Sequence, residues 1–179
     1  MICSYCYKSS KFYTTNTMKK VIGESVKQTN QTFLKTYVQE YCDALTKNFE
    51  LDSIRSHEHN LKRDPECTYS ADRLNDIQNG KANLNRFRFI QGKKYYKVVM
   101  QEFDTFQDRN EWRDTTVHSF VDINTGDVYK PASWKAPAKH VRYSFCNLTD
   151  FRMLLDPRQV GWAGAVSYTH LRAHETDIN

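Results

Sequence analysis

The sequence predicts an α+β fold: an N-terminal amphipathic helix packed on a small antiparallel sheet of about four strands, with a short C-terminal helix. Three observations carry this. Phe33, Tyr37, Tyr41 and Leu45 recur every four residues, with Val38 and Cys42 beside them, which is the spacing of one helical face. The strand signals lie in the second half, where Arg86-Phe87-Arg88-Phe89-Ile90 alternates basic and apolar residues. Turn sequences at Gln91-Gly92 and Asp122-Ile123-Asn124-Thr125-Gly126 separate the apolar runs, as hairpins require.

Taken in order, the first helix is expected from about Ser25 to Asn48, with Ser25 and Gln28 at capping-box spacing. Its aromatic stripe suits packing against a sheet; an amphipathic partner-binding helix is the alternative. The segment Leu51 to Glu66 is highly charged, and Asp64-Pro65 interrupts any helix there. A short helix is expected over Ala71–Gln78, capped by Ser70, with Leu74 and Ile77 inward and Asn79-Gly80 as its stop. Arg86–Ile90 and Lys94–Met100 form a hairpin, and the charged stretch Phe103 to Asp114 loops out, with one helical turn near Trp112. Val117–Val121 and Asp127–Lys130 form a second hairpin, in which Gly126 supplies the positive φ of a tight turn. A further short strand is expected at Val141–Phe145, then a helix from Thr149 to Leu155 ended by Asp156-Pro157.

The length, 179 residues, suits one domain, and 39% hydrophobic with 13% aromatic residues is enough for a core. No apolar run approaches the roughly 20 residues needed to span a bilayer, so no membrane association is expected. A net charge of +5 is compatible with an anionic partner without specifying one. Five irregularly spaced cysteines fit a reducing compartment better than a disulfide framework. Cys3-Ser4-Tyr5-Cys6 lacks the second pair that a tetrahedral metal site needs, and His57-Glu58-His59 sits in a polar stretch where histidines are usually solvated. Neither a metal nor a cofactor is expected. Residues 1–17 read as a disordered arm or a spurious upstream extension, Met18-Lys19-Lys20 being the more natural start. At the other end, Val166 to Thr176 reads VSYTHLRAHET, which resembles a translated transposase sequencing adaptor. The expected organisation is therefore a single domain over 18–165, truncated at its C-terminus, followed by an adaptor-derived tail over 166–179 from a metagenomic library.

The run Val117 to Tyr143, VHSFVDINTGDVYKPASWKAPAKHVRY, resembles the signature of small uncharacterised proteins of tailed bacteriophages. Lys93-Lys94-Tyr95-Tyr96-Lys97-Val98-Val99 resembles the basic-aromatic strand that accompanies it, and the likeness spans about residues 86–162. The resemblance implies phage origin and expression in the host cytoplasm. It implies no activity, cofactor or catalytic residue.

Lys130, Lys135, Lys139 and Arg142 fall close to Trp134, His140 and Tyr143. Cations for phosphates beside an exposed ring for base stacking are what single-stranded nucleic acid requires. These seven residues are the candidate binding set, with Arg86 and Arg88 on one face of a nearby strand. The competing reading has Trp134 anchoring a loop and the lysines solvating an edge strand. His118 and Asp122, at i and i+4 of one strand, are expected on the same face, where Ser133 or Cys146 would complete a catalytic set. No nucleophile elbow, phosphate-cradling loop or zinc-protease helix accompanies them. The expected function is a non-enzymatic phage accessory protein that binds DNA or RNA. A protein that binds a bacterial host protein is the alternative, and a small enzyme using His118 is the third reading.

Overall fold

The structure, a computed structural model, describes residues 16–163, with side chains from residue 31 onward. The expected arm over 1–17, its Cys3–Cys6 pair and the adaptor-like stretch 166–179 lie outside these residues, save Asn16 and Thr17, which open the first helix.

The fold is α+β. Helices α1 (Asn16–Arg63) and α2 (Thr68–Gln78) precede five strands, β1 (Arg86–Gln91), β2 (Tyr95–Asp104), β3 (Glu111–Asp122), β4 (Asp127–Pro131) and β5 (Pro137–Ser144), and α3 (Leu148–Leu155) follows. The strands form one antiparallel meander in the order β1-β2-β3-β4-β5, one strand more than expected. The fifth is longer than the short run anticipated at Val141–Phe145. It begins at Pro137, which pairs with Pro131 where the ladder ends. Proline has no N–H to give a ladder, so both sit at strand ends.

Helix α1 runs further than the aromatic stripe marks. Ser25 lies within it rather than at its start, and the charged segment after Leu51 stays helical to Arg63. Glu, Lys and Arg are good helix formers when their heads reach water, and Asp64-Pro65 ends the helix as expected. The buried stripe is Val38, Tyr41, Cys42 and Leu45, whereas Phe33 points to solvent. Helix α2 starts at Thr68, so Ser70 is no cap. Its hydroxyl is buried and lies 3.4 Å from His57 Nδ1 and 3.5 Å from Cys67 Sγ. Helix α3 starts at Leu148, one residue before the expected Thr149, and Asn147 caps it, its Oδ1 accepting from the amides of Thr149 and Asp150.

The stretch expected to loop out is a β-ribbon. Phe103 pairs with Trp112 across β2 and β3, their rings 5.3 Å apart. A short 3-10 turn, Phe106–Asp108, caps the ribbon. Asp104 closes it by accepting from the Phe106 amide and pairing with Arg109 and Arg113.

Strand alternation fixes the rest. Tyr96, Val98, Val121 and Val128 face α1 and share one core with Val38, Tyr41, Leu45, Phe145 and Leu154. Burying each such side chain contributes roughly 1.5–3 kcal/mol. Along the outer edge of β1, the Phe87 amide donates to Thr46 Oγ1 of α1 at 2.9 Å, so the helix covers that edge as well. Among the described residues, no helix is long and apolar enough to cross a membrane. Leu45→Ala leaves a cavity at the C-terminal end of the stripe, where Leu45 is fully buried, and is expected to cost about 2–5 kcal/mol. A urea midpoint indistinguishable from the parent would show that the helix does not depend on this contact.

Candidate functional site

Cross-strand pairs lie on the same side of a sheet, so the register assigns every side chain. Opposite α1, on the outer face, stand Arg88 and Ile90 of β1, Tyr95, Lys97 and Val99 of β2, Val117 and Phe120 of β3, and Tyr129 of β4. Val99, Val117 and Phe120 form a second, smaller apolar cluster there, flanked by Ile90, Tyr95 and Tyr129. The β4–β5 turn lies over this cluster. It is held shut by Ala132 N and Ser133 N donating to Ala136 O at 3.0 and 3.1 Å. Ser133 Oγ in turn accepts from the amides of Lys135 and Ala136. The turn carries Trp134, which is 42% exposed, and places its ring 4.7 Å from Lys97 Nζ.

Between this turn and the β1–β2 turn lies a groove of about 340 Å³. Its walls are Lys93, Lys94, Lys97 and Lys135, and its apolar lining is Ile90, Tyr95, Phe120 and Trp134. Gly92 makes the second turn tight: its amide donates to Tyr95 O at 2.8 Å, and a Cβ there would meet that oxygen at 3.0 Å. Lys93 and Lys94 are thereby projected together from two adjacent positions. Lys94 lies 3.9 Å from Asp122, a long pair, and no carboxylate lines the groove among the described residues. Farther along the outer face the arginines are spent differently. Arg88 forks onto Asp114, which also accepts from Gln101 at 2.8 Å, while Arg86 lies 4.0 Å over Trp112 and donates to Gln101. The Asp114 carboxyl is held below its usual range by the Arg88 hydrogen bonds.

The seven residues picked from the sequence divide into three groups. Trp134 and Lys135 line the groove. Lys130, Arg142 and Tyr143 line a separate cavity of about 80 Å³ on the side of the sheet that faces α1, with Tyr41 and His118. Burial there, with Arg142 nearby, pulls the Lys130 ammonium below its usual range. Lys139 and His140 are exposed on β5 and line neither. Sequence reasoning missed Lys93, Lys94 and Lys97 as members of the site. The signal was present in Tyr95 and Lys97, which alternate with core residues and so share a face with Phe120.

His118 and Asp122 do not share a face. Val98 pairs with Ser119 and Val99 with Val117, so His118 is the extra residue of a bulge. The bulge turns His118 toward α1, whereas Asp122 sits opposite Tyr95 on the outer side. Asp122 instead shapes its turn, accepting from the amides of Asn124 and Thr125. Neither Ser133 nor Cys146 lines the His118 cavity. The Gly161 carbonyl, 3.0 Å from Nε2, can only accept, so Nε2 carries the proton. Nδ1 is then an acceptor, 3.3 Å from the Tyr41 hydroxyl. Both nitrogens are engaged, and the cavity is far below the roughly 300–1,000 Å³ of ligand clefts. Among the described residues, no group of three or more His, Cys, Asp or Glu side chains could hold a metal ion.

Fold and groove together define a small α+β protein whose antiparallel sheet carries α1 on one face and a lysine-walled aromatic groove on the other. The chain belongs to a family of unknown function (DUF7717), which it matches over residues 17–169. No curated protein and no solved structure matches it.

Burial pulls the His118 imidazole down to about 4 from 6.5, opposed by its bond to Gly161 and reinforced by Arg142. The fold therefore prefers the neutral ring. Its stabilisation is complete above about pH 6.5, declines as the unfolded chain takes up a proton the folded one refuses, and is exhausted near pH 4. The loss expected across this window is on the order of 2 kcal/mol, allowing for partial exposure of the ring. Urea midpoints of His118→Asn should fall less steeply over that window than those of the parent. An imidazole that titrates near 6.5 by NMR would refute the assignment.

Proposed function

We propose that the protein binds nucleic acid through the groove on the outer face of the sheet. The observation that carries this reading is the partly exposed indole of Trp134 set among four lysines, with no carboxylate among the described lining residues. Lysines there neutralise phosphates and release their counterions, while the aromatic lining offers a surface to a base. The reading relocates the site from the linear stretch Lys130–Tyr143 to two turns that the fold brings together. On the resemblance to phage proteins, its setting is the cytoplasm of an infected bacterium.

A second reading, an interaction protein for a host partner, draws on Phe106. Its ring is 65% exposed at the ribbon tip, next to Gln107, Asp108 and Asn110, all at positive φ. Conformations of that kind persist where surrounding structure enforces them. Binding of this sort would tolerate salt and be lost in Phe106→Ala.

The two surfaces respond to different changes. Lys135→Glu is expected to weaken binding to an oligonucleotide by about tenfold or more, and Lys139→Glu to leave it within about twofold, since only Lys135 lines the groove. Three or four neutralised phosphates give a log–log salt slope of about −2 to −3 for a single strand. Fluorescence anisotropy titrations over a salt series measure both. Equal losses at the two positions, or affinity indifferent to salt, would remove the groove from the account.

A further inference from the structure

Resting on that reading, we infer that the groove is built for a single strand and discriminates against duplex, seating one unstacked base on Trp134 with its flanking phosphates on the Lys93-Lys94 turn and Lys135. Three features of shape and charge lead there.

The first is size, in a shallow, open groove. The groove's roughly 340 Å³ is at the small end of ligand clefts, about 300–1,000 Å³, a size for a single unpaired nucleotide. Lys93, Lys94 and Lys135 come from its two turns and Lys97 from β2, and Ile90, Tyr95, Phe120 and Trp134 give it an apolar lining. A duplex keeps its base faces stacked inside and offers an aromatic floor nothing to stack on.

The second is what stands where a duplex reader would need cations. Proteins read duplex by inserting a helix or a two-stranded ribbon into the major groove. The β2–β3 ribbon has that shape, but it carries Glu102, Asp104, Asp108 and Glu111 against Arg109 and Arg113. Both arginines pair with Asp104. On the outer face, Arg88 is likewise neutralised by Asp114. Arg86 is engaged by Gln101 and the Trp112 ring, whereas Lys93, Lys97 and Lys135, which have no ion pair among the described residues, all line the groove.

The third is the set of the indole. Lys97 Nζ lies over the Trp134 ring, and the hydrogen-bonded turn fixes the backbone beneath it. Lys97 thus acts as a positioning residue, and the exposed part of the ring is the surface left for a base.

The test titrates the full chain at low salt with a short fluorescent oligothymidylate, the matching oligouridylate and a hairpin duplex of equal nucleotide count. The single strands are expected to bind at least about tenfold more tightly than the duplex. Trp134→Ala should lower single-strand affinity about 5- to 100-fold and leave the weak duplex binding unchanged, while Trp134→Phe retains most of it. Thermal melts of both variants report folding, and Trp134→Phe, which keeps a ring on the turn, carries the comparison if the alanine variant melts early. Duplex binding as tight as single-strand binding, or single-strand affinity unmoved in Trp134→Ala, overturns this inference and leaves nucleic-acid binding standing. No binding to any of the three probes overturns both.

Discussion

Everything in this protein depends on which face of the sheet α1 covers. Val38, Tyr41, Cys42 and Leu45 form a single buried stripe, and Tyr96, Val98, Val121 and Val128 meet it. Strand residues alternate, so sending these inward sends Tyr95, Lys97, Phe120 and Tyr129 to the opposite side. An antiparallel sheet tolerates one solvated face. Here that face keeps enough apolar surface for a second small cluster and for the turn that carries Trp134. The groove is a by-product of the core.

One irregularity changes what the alternation does. The bulge in β3 adds His118 between Val117 and Ser119, which turns the imidazole toward α1 while Phe120 and Asp122 stay outside. There the ring joins three parts of the chain: it donates to Gly161 O, meets the Tyr41 hydroxyl, and stacks edge-on against Phe87 at 5.5 Å. Trp162 completes the closure, its amide on Asn48 and its indole N–H on Asp52. Burial raises the Tyr41 phenol well above its ordinary value, so the contact with His118 is between neutral groups. A neutral hydrogen bond of this kind contributes about 0.5–1.5 kcal/mol, but leaving either partner unmet would cost more.

The architecture was legible because it rests on local periodicity. The four-residue recurrence through Tyr37, Tyr41 and Leu45, the Gly126 turn and the alternation at Arg86–Ile90 each speak for themselves. The helical reach of residues 51–63 was hidden because solvated charge weakens the periodic signal without weakening the helix. The ribbon over Phe103–Trp112 was hidden because its strength is a cross-strand ring pair and the ion pairs of Asp104, neither of which has a sequence period. The candidate site was legible in chemistry and illegible in place. Lysines beside Trp134 marked the right residue types, but alternation splits Lys130 from Trp134. Lys97 shares the face of Phe120 by alternation, but membership of Lys93 and Lys94 follows only once two distant turns are known to face each other. The bulge defeated the i, i+4 argument for His118 and Asp122 for the same reason: one extra residue inverts facing and leaves no mark in composition.

The anchoring of α1 also has a cost in time. Its partners arrive late along the chain: Tyr41 meets His118 across 77 residues, and Asn48 meets Trp162 across 114. Contacts of such separation must overcome chain entropy before they repay it, which slows folding. During synthesis α1 leaves the ribosome well before β4 exists, with its apolar stripe uncovered throughout. Until the strands that cover it are made, the stripe is an apolar surface of the kind on which incompletely folded chains aggregate.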